Sequence, residues 1–245
     1  MSNDVFAGGK SCETIAKWAL DVETHAVSGA NQSRERWRTA KGAVVLSGDS
    51  DDGDFWVFGY GSLMWRPGFD FLESALAFVH GYHRSLCIFS HVHRGTPERP
   101  GLVLGLDHGG SCQGVAFRVA GGARAATLAY LRERELVTSV YLEKTVPLRF
   151  ADGGKEGGTT RALAFIVDRA HGQYAGRLPI EEVARLVAEG VGACGDNPAY
   201  VRNTYEHLLQ LDIRDDALAR VVRRLDGDSC RIDPPTRAPL AKAAQ

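Results

Sequence analysis

Seven strand-length apolar runs succeed one another between residues 55 and 167, broken once by a helical pattern, and this order restricts the chain more than any other feature. The runs cover residues 55–60, 75–79, 82–89, 101–106, 113–119, 140–150 and 161–167. Most are bounded by Gly, Pro or Asp, residues that interrupt strands and seed turns. The inserted helical pattern lies at 123–136. Three more, at 180–189, 198–210 and 215–225, fill the last third, the first of them following Pro179 in a position where proline suits a helix start. The regular strand–helix alternation of a doubly wound parallel sheet is missing. The expected class is therefore α+β, with successive strands forming a sheet that curls.

The flanks read differently. Residues 1–53 hold a short helical pattern at 13–22, then the polar stretch Asn31-Gln-Ser-Arg-Glu-Arg36, and end in Gly48-Asp-Ser-Asp-Asp-Gly53. They read as a partly flexible N-terminal extension joined to a body at 54–225. From Asp226 onward, with Pro234, Pro235 and Pro239, the chain reads as a fraying tail, 226–245. With 245 residues, 44% of them hydrophobic, the chain can bury a core as a single domain. A net charge of -1 offers no attraction to phosphates or anionic lipid, so neither nucleic acid nor a membrane is an expected partner. The five cysteines are odd in number, scattered and without a C-x-x-C pair, which fits neither a disulfide framework nor a zinc site. The first residues lack the continuous apolar core of a signal peptide, and no segment is long enough to span a bilayer. A cytoplasmic location is expected.

Directly after the first run stands Gly59-Tyr-Gly-Ser-Leu63. Glycines there let successive amide N–H groups converge on one point, a nest for an anion. The dinucleotide fingerprint would need a third glycine where Met64 stands, and no Gly-Lys-Ser/Thr follows for a phosphate loop. A carboxylate is the better guest, and an ordinary tight turn is the alternative.

A second candidate comes from helical geometry. Stepping about 100° per residue along 123–136 brings Leu128, Leu131 and Glu135 into one narrow arc, with Glu133 on the far side. Glu135 is thus expected to point where the leucines point. Burial of its carboxyl raises its affinity for a proton toward the range useful for proton transfer. The alternative is a frayed, hydrated glutamate at a helix end. Arg132, Glu133 and Arg134 read as a solvated face.

Other residues carry less. His80, His83, His91 and His93 form a cluster in sequence, but no acidic residue or cysteine nearby completes a ligand set, so no metal is expected. Arg94, in the loop His93-Arg-Gly95, could meet a substrate carboxylate or simply lie at the surface. Tyr200 and Tyr205 could lend hydroxyls to a pocket or fill the core. Ser62 lacks the Gly-x-Ser-x-Gly setting of a hydrolase nucleophile.

Taken together in order, these motifs resemble the ChaC-like γ-glutamylcyclotransferases. Trp56-Val-Phe-Gly-Tyr-Gly-Ser-Leu-Met-Trp65 looks like the family's opening strand and substrate loop, followed by Gly81-Tyr-His-Arg84, His93-Arg-Gly95 and Pro100-Gly101. Gly114-Val-Ala-Phe-Arg118 looks like the strand before the catalytic helix, Tyr130-Leu-Arg-Glu-Arg-Glu135 like that helix, and Tyr200-Val-Arg-Asn-Thr204 like the C-terminal helix. The likeness spans about residues 55–213. Where some members carry Gly-Gly-Tyr after the glutamate, this chain has Leu136-Val-Thr-Ser-Val-Tyr141.

The resemblance implies a small mixed β-barrel with flanking helices, and a lyase-type enzyme that cleaves glutathione to 5-oxoproline and cysteinylglycine without a cofactor. It implies Glu135 as the acid/base and Tyr60, Gly61, Ser62 and Leu63 as the γ-glutamyl-binding loop, with Arg94 and Tyr200 as further substrate contacts. Two other readings stay open at this point. One is the same reaction on other γ-glutamyl amines or amino acids, and the other is a non-catalytic γ-glutamyl-binding module.

Overall fold

The computed structural model describes residues 53–136, 139–151 and 160–227. The extension at 1–52, with its helical pattern at 13–22, and the tail from residue 228 lie outside the described residues.

Five strands close a barrel in the order β1-β3-β2-β4-β5: β1 (Phe55–Gly59), β2 (Glu73–Ser90), β3 (Gly101–Val119), β4 (Tyr141–Phe150) and β5 (Thr160–Val167). Neighbours pair antiparallel except at the seam, where β1 runs parallel to β5 with Trp56 opposite Ala162. Helix α1 (Arg124–Glu135) connects β3 to β4, and α2 (Ile180–Glu189), α3 (Asn197–Gln210) and α4 (Asp216–Leu225) follow the last barrel strand. A short hairpin of β6 (Val191–Gly192) and β7 (Gly195–Asp196) precedes α3. The α+β class and the mixed barrel with flanking helices are as expected.

The seam strands read as unbroken apolar runs because both of their faces are covered. Phe58 of β1 and Ala162, Ala164 and Ile166 of β5 face the larger core, shared with the last three helices. Val57, Leu163 and Phe165 face the opposite way, toward Leu131 of α1. One helix therefore lies against the seam on one side, and three pack beyond the other.

Two expectations about strand length are corrected. The runs at 75–79 and 82–89 form one strand, β2, and those at 101–106 and 113–119 form one strand, β3. Gly81, Gly109 and Gly110 adopt positive φ but do not end pairing. Pairing instead shifts register between His80 and Tyr82 and again between Leu86 and Ile88. Glycine at such points bends a strand through a bulge instead of stopping it.

Asn197, completely buried at the start of α3, ties that helix to the barrel. Its Oδ1 accepts from the Leu102 amide at 2.7 Å and its Nδ2 donates to the Leu102 carbonyl at 2.8 Å. Asn197→Ala would strand both backbone groups, so a loss of about 2–4 kcal/mol is expected in urea unfolding. A loss below about 0.5 kcal/mol would show that water or a relaxed backbone replaces the side chain.

Candidate active site

The turn after β1 is where the glycine-rich motif becomes a shaped surface. Gly59 leaves little room for a side chain: a Cβ there would lie 3.0 Å from Leu63 Cβ and 3.2 Å from the Met64 nitrogen. The chain can thus fold back immediately into a single 3-10 turn over Ser62–Met64, closed by Met64 N–H donating to the Gly61 carbonyl at 2.9 Å. The first amides of such a turn precede its first hydrogen bond and have no partner inside it. In this turn they belong to Ser62 and Leu63.

The turn is held from behind by a buried arginine. Arg84, on β2, donates from Nε to the Tyr60 carbonyl and from Nη2 to the Gln113 carbonyl at 2.7 Å. Its Nη1 meets Asp215 Oδ2 at 3.0 Å, and the two side chains are only 4% and 10% exposed.

Tyr60, Gly61, Ser62 and Leu63 line a cavity of about 60 Å³ together with Leu104, Glu135, Tyr141, Phe165 and Tyr200. Such a volume suits the head of a small ligand, with any longer portion outside.

Glu135 is the only carboxyl among the lining residues. It lies one helical turn beyond fully buried Leu131 on the last residue of α1, so the leucine stripe aims it inward. Burial raises its pKa above the ordinary glutamate value, and the Arg134 guanidinium, with Nε 3.2 Å from Glu135 Oε1, pulls it back down. The negative end of the α1 dipole is a further reason for this carboxyl to hold a proton more readily.

Three phenols complete the wall. Tyr141 donates to the Leu104 carbonyl at 2.8 Å, while Tyr200 accepts from the Leu104 amide at 3.2 Å. Both backbone groups of Leu104 are available because β1 pairs only with Val115–Val119 of β3, leaving no strand beside Leu104 on the edge away from β2. Burial pushes the pKa of Tyr60 and Tyr141 well up and that of Tyr200 to about 12, so all three stay neutral donors and acceptors at working pH.

The structure therefore brings Tyr60, Gly61, Ser62, Leu63, Glu135 and Tyr200 to one cavity. Arg94 is not among its lining residues. Its Nη1 donates to the carbonyls of Cys194 and Asp196, and its guanidinium lies 5.2 Å from the centre of the Tyr200 ring, so it buttresses the wall from outside.

Two residues of this site escaped sequence reasoning. Tyr141 closes the segment after Glu135, and its place in the chain was the available signal. Arg134 was expected on a solvated face but is 12% exposed, with Nη2 donating to Ser62 Oγ at 2.8 Å. Arg132 does lie at the surface, paired with Glu143 at 2.7 Å.

The histidines are dispersed. His83 Nδ1 lies 2.9 Å from the Gly109 carbonyl and His93 Nδ1 lies 3.3 Å from Cys194 Sγ. Among the described residues no three His, Cys, Asp or Glu side chains gather as metal ligands would. Nor is any described helix long and apolar enough to cross a membrane.

The cavity thus joins the residues of the turn, Tyr60–Leu63, and the buried Glu135 carboxyl in one lining. The family model described as ChaC-like protein matches residues 55–226. The Escherichia coli (strain K12) glutathione-specific γ-glutamylcyclotransferase is 36% identical over 203 residues, covering 81% of this chain and 86% of that one. Human glutathione-specific γ-glutamylcyclotransferase 1 is 34% identical over 178 residues, 71% of this chain and 79% of that one. A solved structure titled as the yeast γ-glutamyl cyclotransferase specific to glutathione has the same fold, with TM-score 0.63 at 20% identity, covering 72% of this chain and 99% of that one.

Proposed function

The chain belongs to the ChaC-like proteins, and from that membership we propose that it is a lyase-type γ-glutamylcyclotransferase which breaks glutathione into 5-oxoproline and cysteinylglycine. The observation that carries this reading is one small cavity lined both by the Tyr60–Leu63 turn and by Glu135.

In glutathione the γ-glutamyl α-amine can reach its own γ-carbonyl and close a five-membered lactam. Folding the substrate into that conformation supplies much of the rate, because nucleophile and electrophile are already joined. The turn amides of Ser62 and Leu63 hold the α-carboxylate. Glu135 accepts a proton from the α-ammonium, and the freed amine attacks the γ-carbonyl carbon. The same carboxyl then returns that proton to the departing amide nitrogen as its C–N bond breaks, and takes the second proton from the ring nitrogen to pass it to the released amine of cysteinylglycine, so one side chain acts in turn as base and acid. The phenols of Tyr60, Tyr141 and Tyr200 shape the wall and exclude water. The small cavity suits the γ-glutamyl head, with cysteinylglycine directed outward.

Residues 54–225 form the catalytic domain in this reading, with 1–53 as an extension and 226–245 as a tail. Free thiols at Cys87, Cys112 and Cys194 fit a cytoplasmic setting. The near-neutral charge gives nucleic acid no hold.

Metal-chelated protein incubated with reduced glutathione is expected to release 5-oxoproline and cysteinylglycine in equal amounts, followed by mass spectrometry. Product only from other γ-glutamyl amines would transfer the reaction to those substrates, and binding without turnover would make the domain a γ-glutamyl receptor.

A further inference from the structure

Arg134 touches both halves of the site at once. Its Nη2 donates to Ser62 Oγ at 2.8 Å, and its Nε lies 3.2 Å from Glu135 Oε1. Its Nη1 donates to the Arg66 carbonyl at 2.7 Å and to Tyr130 Oη at 3.0 Å. All three guanidinium nitrogens are therefore engaged on four different residues. Tyr130 is itself packed against the backbone at Gly68, where a Cβ would fall 1.9 Å from its hydroxyl.

Salt bridges between adjacent residues at a helix end are ordinarily loose and solvated. This one is not, because the same cation is pinned by the substrate turn and by a backbone carbonyl. A planar guanidinium holds such a set of acceptors in fixed relative positions, which a lysine ammonium cannot do.

We propose that Arg134 is the positioning residue of the site: it locks the distance between the carboxylate-binding turn and the Glu135 carboxyl, and lends its positive charge to both. The proposal rests on the cyclotransferase reading above for its kinetic consequences, though not for its structural ones. A bound γ-glutamyl head would have its carboxylate at the Ser62 end of this cation and its ammonium at the Glu135 end. Arg134 touches neither, because it does not line the cavity.

The surroundings leave Arg134 as the dominant charge on Glu135. The titratable groups facing it from other elements are Tyr60 of the turn, Tyr141 of β4 and Tyr200 of α3, all neutral with raised pKa values. Cys87 of β2 lies behind Tyr60 and Tyr141, and burial pushes its thiol up to about 12. Arg66 lies beyond Arg134, and the repulsion between these two cations adds to burial in lowering the pKa of Arg66.

Removing the cation takes away the influence that favours ionised Glu135. Its protonation therefore persists to higher pH, and the acid limb of kcat/KM moves upward with it. Arg134→Met is expected to show that upward move together with a KM for glutathione raised roughly tenfold or more, as for loss of a charge-assisted hydrogen bond. Arg134→Lys restores charge without the planar fork, so its acid limb should return toward that of the parent while KM stays high.

The decisive readout is independent of turnover. Carboxyl carbon NMR of the ligand-free protein, with Glu135 assigned through Glu135→Gln, should show Glu135 titrating at higher pH in Arg134→Met than in the parent. An unmoved titration, or a lowered melting temperature with kcat, KM and pH profile unchanged, would overturn the proposal. If the parent makes no product from glutathione but the titration moves, the cyclotransferase reading fails and the positioning role stands.

Discussion

Glu135→Gln is expected to cut the turnover of glutathione to 5-oxoproline by roughly 10²-fold or more, about 3 kcal/mol of barrier, with the fold intact. Glutamine has the shape of glutamate and can still accept a hydrogen bond from Arg134. It cannot take a proton from the ammonium group or return one to the leaving nitrogen. The substrate turn is untouched, so KM should change far less than kcat.

Stability should move the other way. Burial raises the pKa of Glu135 above its unfolded value despite the pull of Arg134. A carboxyl raised in this way binds its proton more tightly in the folded state, so stability falls as pH rises from the unfolded value through the folded one. Above that window the ionised group is a standing cost, which glutamine removes. At neutral pH the variant should melt no earlier than the parent, and the acid limb of the parent's rate profile should be missing from its residual activity. Retention of more than a tenth of parental turnover, measured by mass spectrometry of 5-oxoproline, would remove Glu135 from the mechanism.

Arg84→Met should have the largest effect on stability, about 3–5 kcal/mol, because it leaves a buried carboxylate without its partner. Arg84 links the Tyr60 carbonyl of the turn, the Gln113 carbonyl of β3 and Asp215, whose other oxygen caps α4 by accepting from Leu218 N–H at 2.9 Å. Methionine fills some of the space and satisfies none of these groups. For a body of this size the melting temperature should fall by about 10 °C.

The turn should suffer as well, with KM rising in the surviving folded enzyme because the Tyr60 carbonyl loses its anchor. Asp215→Asn combined with Arg84→Met should recover part of the loss, since no lone charge then remains. Urea unfolding of the two single variants and the double variant measures the coupling directly. A loss below about 1 kcal/mol for Arg84→Met would mean that water reaches Asp215 once the arginine is gone.

Much of this site follows from local pattern. Glu135 was traced from the Leu128 and Leu131 stripe, since helical spacing fixes the direction of a short side chain relative to its neighbours. The turn at Tyr60–Leu63 was traced from its glycines, and helix α2 from Pro179 and its apolar period. The long strands were missed because a glycine that bends a strand and a glycine that ends one look the same until a partner strand supplies its register. Arg134 was missed because periodicity places a Cα and says little about the far end of a long, flexible stem.

What the sequence determined by itself is the class of fold, the family, the inward glutamate and the glycine-rich turn after the first strand, all of them set by contacts within a few residues or by ordered motifs. What only the tertiary structure decided is how the site is braced. Tyr141 and Tyr200 both fasten to Leu104, across 37 and 96 positions, and Arg84 reaches 131 positions to Asp215. Such partners meet only when the barrel closes, because each bond depends on the register of strands and the docking of helices that no local preference encodes.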